Sequence, residues 1–286
     1  MQFTRSFRML AVAGLALAYA PVANAAFVDF NSGATDFTSN FNQNNTGGSG
    51  TPTNIPTAEM SWSATAGVAD SGGLVNNTSD STYVYKSEAF NPVTGTLTVA
   101  ATWLKDGTGG SPAQLQLGLV GDVGTPGNAN GNHFQGGGTF MSSRVRTTSA
   151  GTAYLQVQNN GSNGFDTSSA GMTLTAGNWY RYTATFTRLA SENQWTFTGN
   201  VENLGTTGTE TPVAVTNGSF STTVSYSNLY NDTSLYGAFR APFGNGVAEL
   251  DNFLAADSAA VPEPASMAVL ALAGGALLNR RHRAAR

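Results

Sequence analysis

The chain has 286 residues, of which only 10% are charged, and it carries 34 glycines and no cysteine. Without cysteine there are no disulfides, thiolate nucleophiles or cysteine-based metal sites. Residues 26–262 hold seven basic and sixteen acidic side chains, a net charge of −9, which argues against nucleic acid or an anionic membrane as partner.

The chain opens with the features of a secretory signal. Arg5 and Arg8 form a positive region, Met9 to Tyr19 is an apolar run of 11 residues, and Ala23-Asn24-Ala25 fits the small-x-small cleavage rule. Residues 1–25 are therefore expected to be a signal peptide, handled by the Sec translocon and removed by signal peptidase at Ala23/Ala25. The mature chain then begins near Ala26.

Phe27, Phe30, Phe37 and Phe41 are apolar anchors in an otherwise polar stretch. Its first residues read as a strand, and the Asn/Gly/Ser-rich part from Asn42 to Pro56 as a loop. From Ser81 onward short strands follow one another. Tyr83 and Tyr85 flank Val84. Leu97, Val99, Ala101 and Trp103 alternate with Thr96, Thr98, Ala100 and Thr102. Leu115, Leu117 and Leu119 alternate with Gln114, Gln116 and Gly118. This period of two belongs to half-buried strands, and the Asn-Pro, Gly-Gly-Ser-Pro and Gly-Asp punctuation between them marks turns.

The pattern repeats downstream. Ala153, Leu155 and Val157 alternate with Tyr154 and Gln156. Tyr180, Tyr182, Ala184 and Phe186 share one face, with Trp179, Arg181, Thr183 and Thr185 on the other. Trp195, Phe197 and Val201 continue the theme. The last strands hold Leu235, Gly237 and Phe239, then Ala248, Leu250 and Leu254. No helix-length amphipathic pattern lies between residues 27 and 257, so residues 26–257 are expected to form one all-β domain, an antiparallel β-sandwich or jelly roll. The segments NWYRYTATFTRL, WTFTGNV and YGAFRAPFGNGVAELDNFLAAD resemble the concanavalin A-like (laminin G-like) sandwiches. That resemblance implies this fold over the whole domain and a functional range running from glycan binding to glycan cleavage.

Several constellations are candidates for chemistry. Glu249 and Asp251 stand at alternate positions of one strand, as the carboxylates of a concanavalin A-like glycosidase do. Retaining hydrolysis needs two carboxyls about 5 Å apart, and position 253, where the motif would continue, is Phe. A structural role is therefore the expectation, and no catalytic residue is assigned. Asp29 and Asp251 are the candidate ligands of a structural calcium ion, with backbone carbonyls completing its oxygen shell. His133 is alone in the mature domain, which disfavours zinc and a catalytic triad. Trp62, Trp103, Trp179 and Trp195, with nine tyrosines, offer rings for stacking on sugars, most of which sandwiches keep in the core.

After a linker at 258–260, the chain ends on Val261-Pro262-Glu263-Pro264, 14 mostly apolar residues from Ala265 to Leu278, and a tail carrying Arg280, Arg281, Arg283 and Arg286. The prolines keep the first part extended, the apolar run is suited to a short membrane helix, and the arginines hold the end on the cytoplasmic side. In motif, order and distance from the terminus, residues 261–286 resemble the PEP-CTERM sorting signal. The resemblance implies recognition by an exosortase, a membrane protease, and delivery from an inner-membrane-anchored intermediate to the surface or extracellular matrix of a Gram-negative cell. It also implies an association with exopolysaccharide or biofilm. The expectation is a non-catalytic surface protein with polysaccharide as its ligand. The alternative is a polysaccharide hydrolase or lyase.

Overall fold

The computed structural model describes residues 25–44, 60–76, 82–85, 95–105, 114–121, 134, 140–148, 151–158, 165–189, 193–226, 235–240 and 247–257. Ala23, His133, the 258–260 linker, the Val261–Pro264 motif and the four terminal arginines lie outside the described residues. Among those described, no helix is long and apolar enough to cross a membrane.

Two sheets form the domain, and every strand pairing described is antiparallel. The first runs in the order β14 (Val213–Ser225), β13 (Gln194–Asn203), β12 (Trp179–Arg188), β6 (Thr96–Lys105), β16 (Val247–Asp257), β4 (Gly73–Asn76), β3 (Met60–Ser63), with β1 (Ala25–Val28) also on β16. The second runs β10 (Phe165–Thr167), β9 (Thr152–Gln158), β8 (Phe140–Thr147), β7 (Gln114–Gly121), β15 (Leu235–Arg240), β5 (Thr82–Tyr85), β2 (Phe41–Asn44), with β11 (Met172–Thr173) also on β9. A single helix, α1 (Ala34–Asn40), is described. Its seven residues are too few for the helical period to have shown against the surrounding strands.

The alternation in the sequence sets the layers. Leu97, Val99, Ala101 and Trp103 of β6 meet Phe186, Ala184, Tyr182 and Tyr180 of β12 in register, and all eight are buried in one core with Leu115, Leu117 and Leu119 of the opposite sheet. Tyr182 reaches across this core and donates its hydroxyl to Ser143 Oγ at 2.6 Å. Burial drives the Tyr182 pKa upward, so the phenol stays neutral and keeps that bond. The outer face of the first sheet is uncharged over much of its width and carries hydroxyls in register. Thr96 pairs with Thr187 at 3.0 Å, Thr98 with Thr185 at 3.4 Å and Thr198 with Ser221 at 3.2 Å. Such cross-strand pairs hold neighbouring strands in register.

The amino-terminal segment is tied down by aromatic packing. Phe41 stacks near Phe30 at 5.9 Å and lies edge-on to Phe239 and Phe253, both at 5.3 Å. Phe37 packs on Tyr83 at 5.2 Å. Phe27 departs from the expected set of anchors. It is 60% exposed, because alternation along β1 turns Ala26 and Val28 inward and Phe27 outward. Seven strands lie where the sequence reading singles out none: β2, which takes Asn42–Asn44 out of the stretch expected to be a loop, and β3, β4, β8, β10, β11 and β14. In β8 the residues that alternate are Met141, Ser143 and Val145 against Ser142, Arg144 and Arg146, and the serine on the inward face breaks the hydrophobic signal.

Phe41 is fully buried between both sheets and the helix. Phe41→Ala is expected to lower the unfolding free energy by about 3–5 kcal/mol, measured by urea denaturation.

Candidate functional site

Two places gather polar side chains. The first is a corner of the first sheet, where one edge of β16 changes partner. Glu249 and Leu250 pair with β4, and Phe253 to Ala256 pair with β1. Asp251 and Asn252 stand between. Here β16 slips register against β6, and Asn252 has φ +50°.

The segment 67–70 folds over this gap and presents its backbone donors. Gly67 N–H donates to Glu249 Oε2 at 2.8 Å, and Val68 N–H to Asp251 Oδ2 at 2.9 Å. Asn252 N–H donates to Asp251 Oδ1 at 2.7 Å. Gly67 sits at φ +87°, and a Cβ there would run into the Gly72 carbonyl and approach Asp251. Four of the six non-glycine residues with positive φ among those described (Phe30, Ala69, Asp70, Asn252) are at this corner. Left-handed backbone costs about 1–3 kcal/mol per residue and persists only where surroundings enforce it. The Phe30 carbonyl is held by Trp62 Nε1 at 2.7 Å.

Burial pushes the Asp251 carboxyl up to about 6; the charges of Asp29 and Glu249 add to the push, and the two N–H donors oppose it. Burial also raises Glu249, helped by Asp70 and opposed by the Gly67 N–H. The corner thus brings Asp29 close enough to Asp251 to feel its charge, as a shared calcium ion would require. Among the described residues, however, no group of three or more acidic or histidine side chains is disposed to hold a metal ion. Asp29 Oδ1 accepts from Asn31 N–H at 3.2 Å, so calcium, which takes six to eight oxygens, would draw most of its shell from the backbone. Both carboxylates of the Glu249/Asp251 pair are engaged by backbone donors, and Phe253 is fully buried in the core. The pair holds the 67–70 segment onto the sheet.

The second place is the outer face of the second sheet. Strand register lines up Thr82, Arg240, Gln116, Arg144, Gln156 and Thr167 in one row across β5, β15, β7, β8, β9 and β10. The row is stitched by side chains. Arg240 Nη1 donates to Gln116 Oε1 at 3.3 Å, Arg144 Nε to Gln156 Oε1 at 2.8 Å, and Gln156 Nε2 to Thr167 Oγ1 at 2.9 Å. A parallel branch runs from Gln116 Nε2 to Ser142 Oγ at 2.8 Å and from that hydroxyl to Gln158 Oε1 at 3.0 Å.

Arg144 lies 3.5 Å above the centre of the Phe165 ring, and Arg146 stands one pleat along β8 opposite Tyr154. Arg144 and Arg240 are 9% and 3% exposed, while Arg146, Tyr154 and Phe165 are half-buried. Burial, then the nearby charges of Arg146 and Arg240, press the Arg144 guanidinium down to about 10. One end of the same face is apolar, with Val84, Val120, Phe134, Phe140 and Ala238 clustered beneath Tyr236.

The sequence reading placed Gln116, Tyr154 and Gln156 on the polar side of their strands without joining them. Arg144 and Arg146 lie in a strand the sequence reading does not single out, and Arg240 closes β15 on the same sheet. The usable signal was chemical: outward positions on β6, β12 and β13 are largely threonine, with one Arg181–Glu202 pair, whereas those of the row on the second sheet are rich in arginine and glutamine. None of the four tryptophans is an exposed sugar platform. Trp103, Trp179 and Trp195 are buried, and Trp62 is half-buried with its ring nitrogen bonded.

The sequence matches no protein-family model and no curated protein. Similar solved structures include an alginate lyase of family PL-14 from Aplysia kurodai (TM-score 0.46, 10% identity, 69% of this chain and 86% of that one). They also include peanut lectin (TM-score 0.43, 14% identity, 76% and 98%) and a Bauhinia forficata lectin in complex with GalNAc (TM-score 0.43, 8% identity, 73% and 97%).

The corner makes a pH prediction. Asp251 binds its proton more tightly folded, near 6, than unfolded, near 4. Its favourable contribution is fully present below about pH 4 and is lost as pH rises through 6. Thermal melts of the wild type are expected to lose stability from pH 4 to 6 relative to Asp251→Asn, whose profile lacks this component. Parallel slopes in the two proteins would contradict the assignment.

Proposed function

We propose that this chain is an exported, non-catalytic protein of the cell surface or extracellular matrix that binds glycan on the outer face of its second sheet. The observation that carries the reading is the six-strand polar row from Thr82 to Thr167. Its buried amides and guanidinium groups, fixed by one another, form a rigid floor, beside which half-buried Arg146 and exposed Thr167 suit the donor and acceptor pattern of sugar hydroxyls. The half-buried rings of Tyr154, Phe165 and Tyr236 add apolar surface of the kind that meets a sugar ring.

Export and sorting rest on the two ends of the sequence: the signal peptide with its Ala23/Ala25 cleavage site, and the Val261–Pro264 motif with its apolar run and arginines. In this reading an exosortase acts on the second after the Sec translocon and signal peptidase have acted on the first. The surrounding exopolysaccharide then supplies the ligand. The engagement of Glu249 and Asp251 by backbone donors supports a binding role over hydrolysis.

A glycan array probed with the exported protein, run beside a reducing-end release assay and a spectroscopic assay for unsaturated lyase products, tests this. Binding without turnover is expected. Turnover would replace the reading with a polysaccharide hydrolase or lyase, and neither binding nor turnover would overturn it. The intact mass of the protein from its producing cells is expected to end near Pro264; a retained Arg286 would contradict the sorting step.

A further inference from the structure

The region between the two cleavage signals is strongly acidic, yet its few basic residues are not spread evenly. Of the seven in residues 26–262, three lie on one face of the second sheet, and they are all arginine. Arg144 and Arg240 flank Gln116 in the row, two strand spacings apart, about 10 Å. Arg146 is on the same face of the same strand as Arg144. Like charges crowded together in a low-dielectric setting are costly, and the crowding is felt: Arg146 and Arg240 both press on Arg144.

A second observation lies at the end of the row. Thr82 is cross-strand partner to Arg240, is fully buried, and its hydroxyl makes no hydrogen bond. A buried polar atom left unsatisfied costs about 1–3 kcal/mol, so this end of the row has hydrogen-bonding capacity that the protein itself does not use.

We infer that the face is selective for acidic glycans: chains whose sugars carry carboxylates, such as uronates, with Arg146 as the accessible recognition residue and Arg144 and Arg240 supplying positive potential beneath it. The inference rests on the glycan-binding reading above and specifies its ligand class. A guanidinium fork meets a carboxylate through two parallel hydrogen bonds, while exposed Thr167 suits the hydroxyls of the same sugars. Half-buried Arg146 beside Tyr154 is where a ligand reaches the row. A phosphate polymer fits less well. Nucleic acid draws on an extended basic track, whereas the arginines here form one local face.

The test is affinity measurement with the full exported protein against oligogalacturonate, a neutral dextran of equal length and single-stranded DNA, in low and high salt. The inference expects oligogalacturonate to bind, weakening as salt rises, with dextran and DNA at least tenfold weaker. Arg146→Glu is expected to weaken oligogalacturonate about tenfold or more and to leave the melting temperature unchanged. Arg146→Lys is expected to retain part of the affinity, and Arg188→Ala, on the other sheet, all of it. Equal binding of dextran with no effect of Arg146→Glu would overturn the acidic class while leaving glycan binding intact. Equal binding of DNA would also overturn it. Failure to bind either carbohydrate would overturn both readings.

Discussion

Asp251 is the side chain on which the rest of the sandwich depends. Strand β16 pairs with β6 on one edge, with two register shifts, but its other edge has to serve both β4 and β1. A strand that changes partner leaves backbone groups unpaired at the changeover, and buried backbone donors without acceptors are costly. The Asp251 carboxylate accepts two of them, from Val68 and Asn252, and Glu249 accepts a third from Gly67. Without these acceptors the 67–70 segment has nothing to close against, and the junction joining β1 to β16 opens. The corner accepts left-handed backbone and two carboxyls shifted upward by burial as the cost of that closure.

The two sheets differ in the chemistry of their outer faces. The first presents threonine hydroxyls that pair with one another across strands, a surface satisfied by itself. The second presents a row in which amides and guanidinium groups are held rigid by one another. Rigid, preorganised polar groups lose little entropy when a ligand arrives. The same Tyr182–Ser143 bond that ties the sheets together across the core lies directly behind Ser142 and Arg144 in β8. Stability of the core and geometry of the face are thus linked through one strand.

Much of the fold was legible in the sequence because period-two alternation reports burial directly. The runs at Leu97–Trp103, Leu115–Leu119, Tyr180–Phe186 and Trp195–Val201 each became a strand with the expected inward face. The exceptions have physical causes. Helix α1 is shorter than two full turns. Strand β8 places Ser143 inward because Tyr182 needs an acceptor there. Phe27 faces out because register with β16, not its own hydrophobicity, fixes β1. The carboxylates at 249 and 251 were visible as a pair, and their engagement by the Gly67, Val68 and Asn252 N–H groups was not. The arginine row was not visible, since it is assembled from six strands spread between residues 82 and 240, and only the order of strands in the sheet joins them.

The central claim is that a glycan lies along that row. The most direct measurement is a crystal structure of the exported protein with a bound oligogalacturonate. The account predicts sugar density across β7, β8 and β9, with a carboxylate within hydrogen-bonding distance of Arg146. Ligand seated on the threonine face of the first sheet, or on the second sheet with no carboxylate near an arginine, would contradict it.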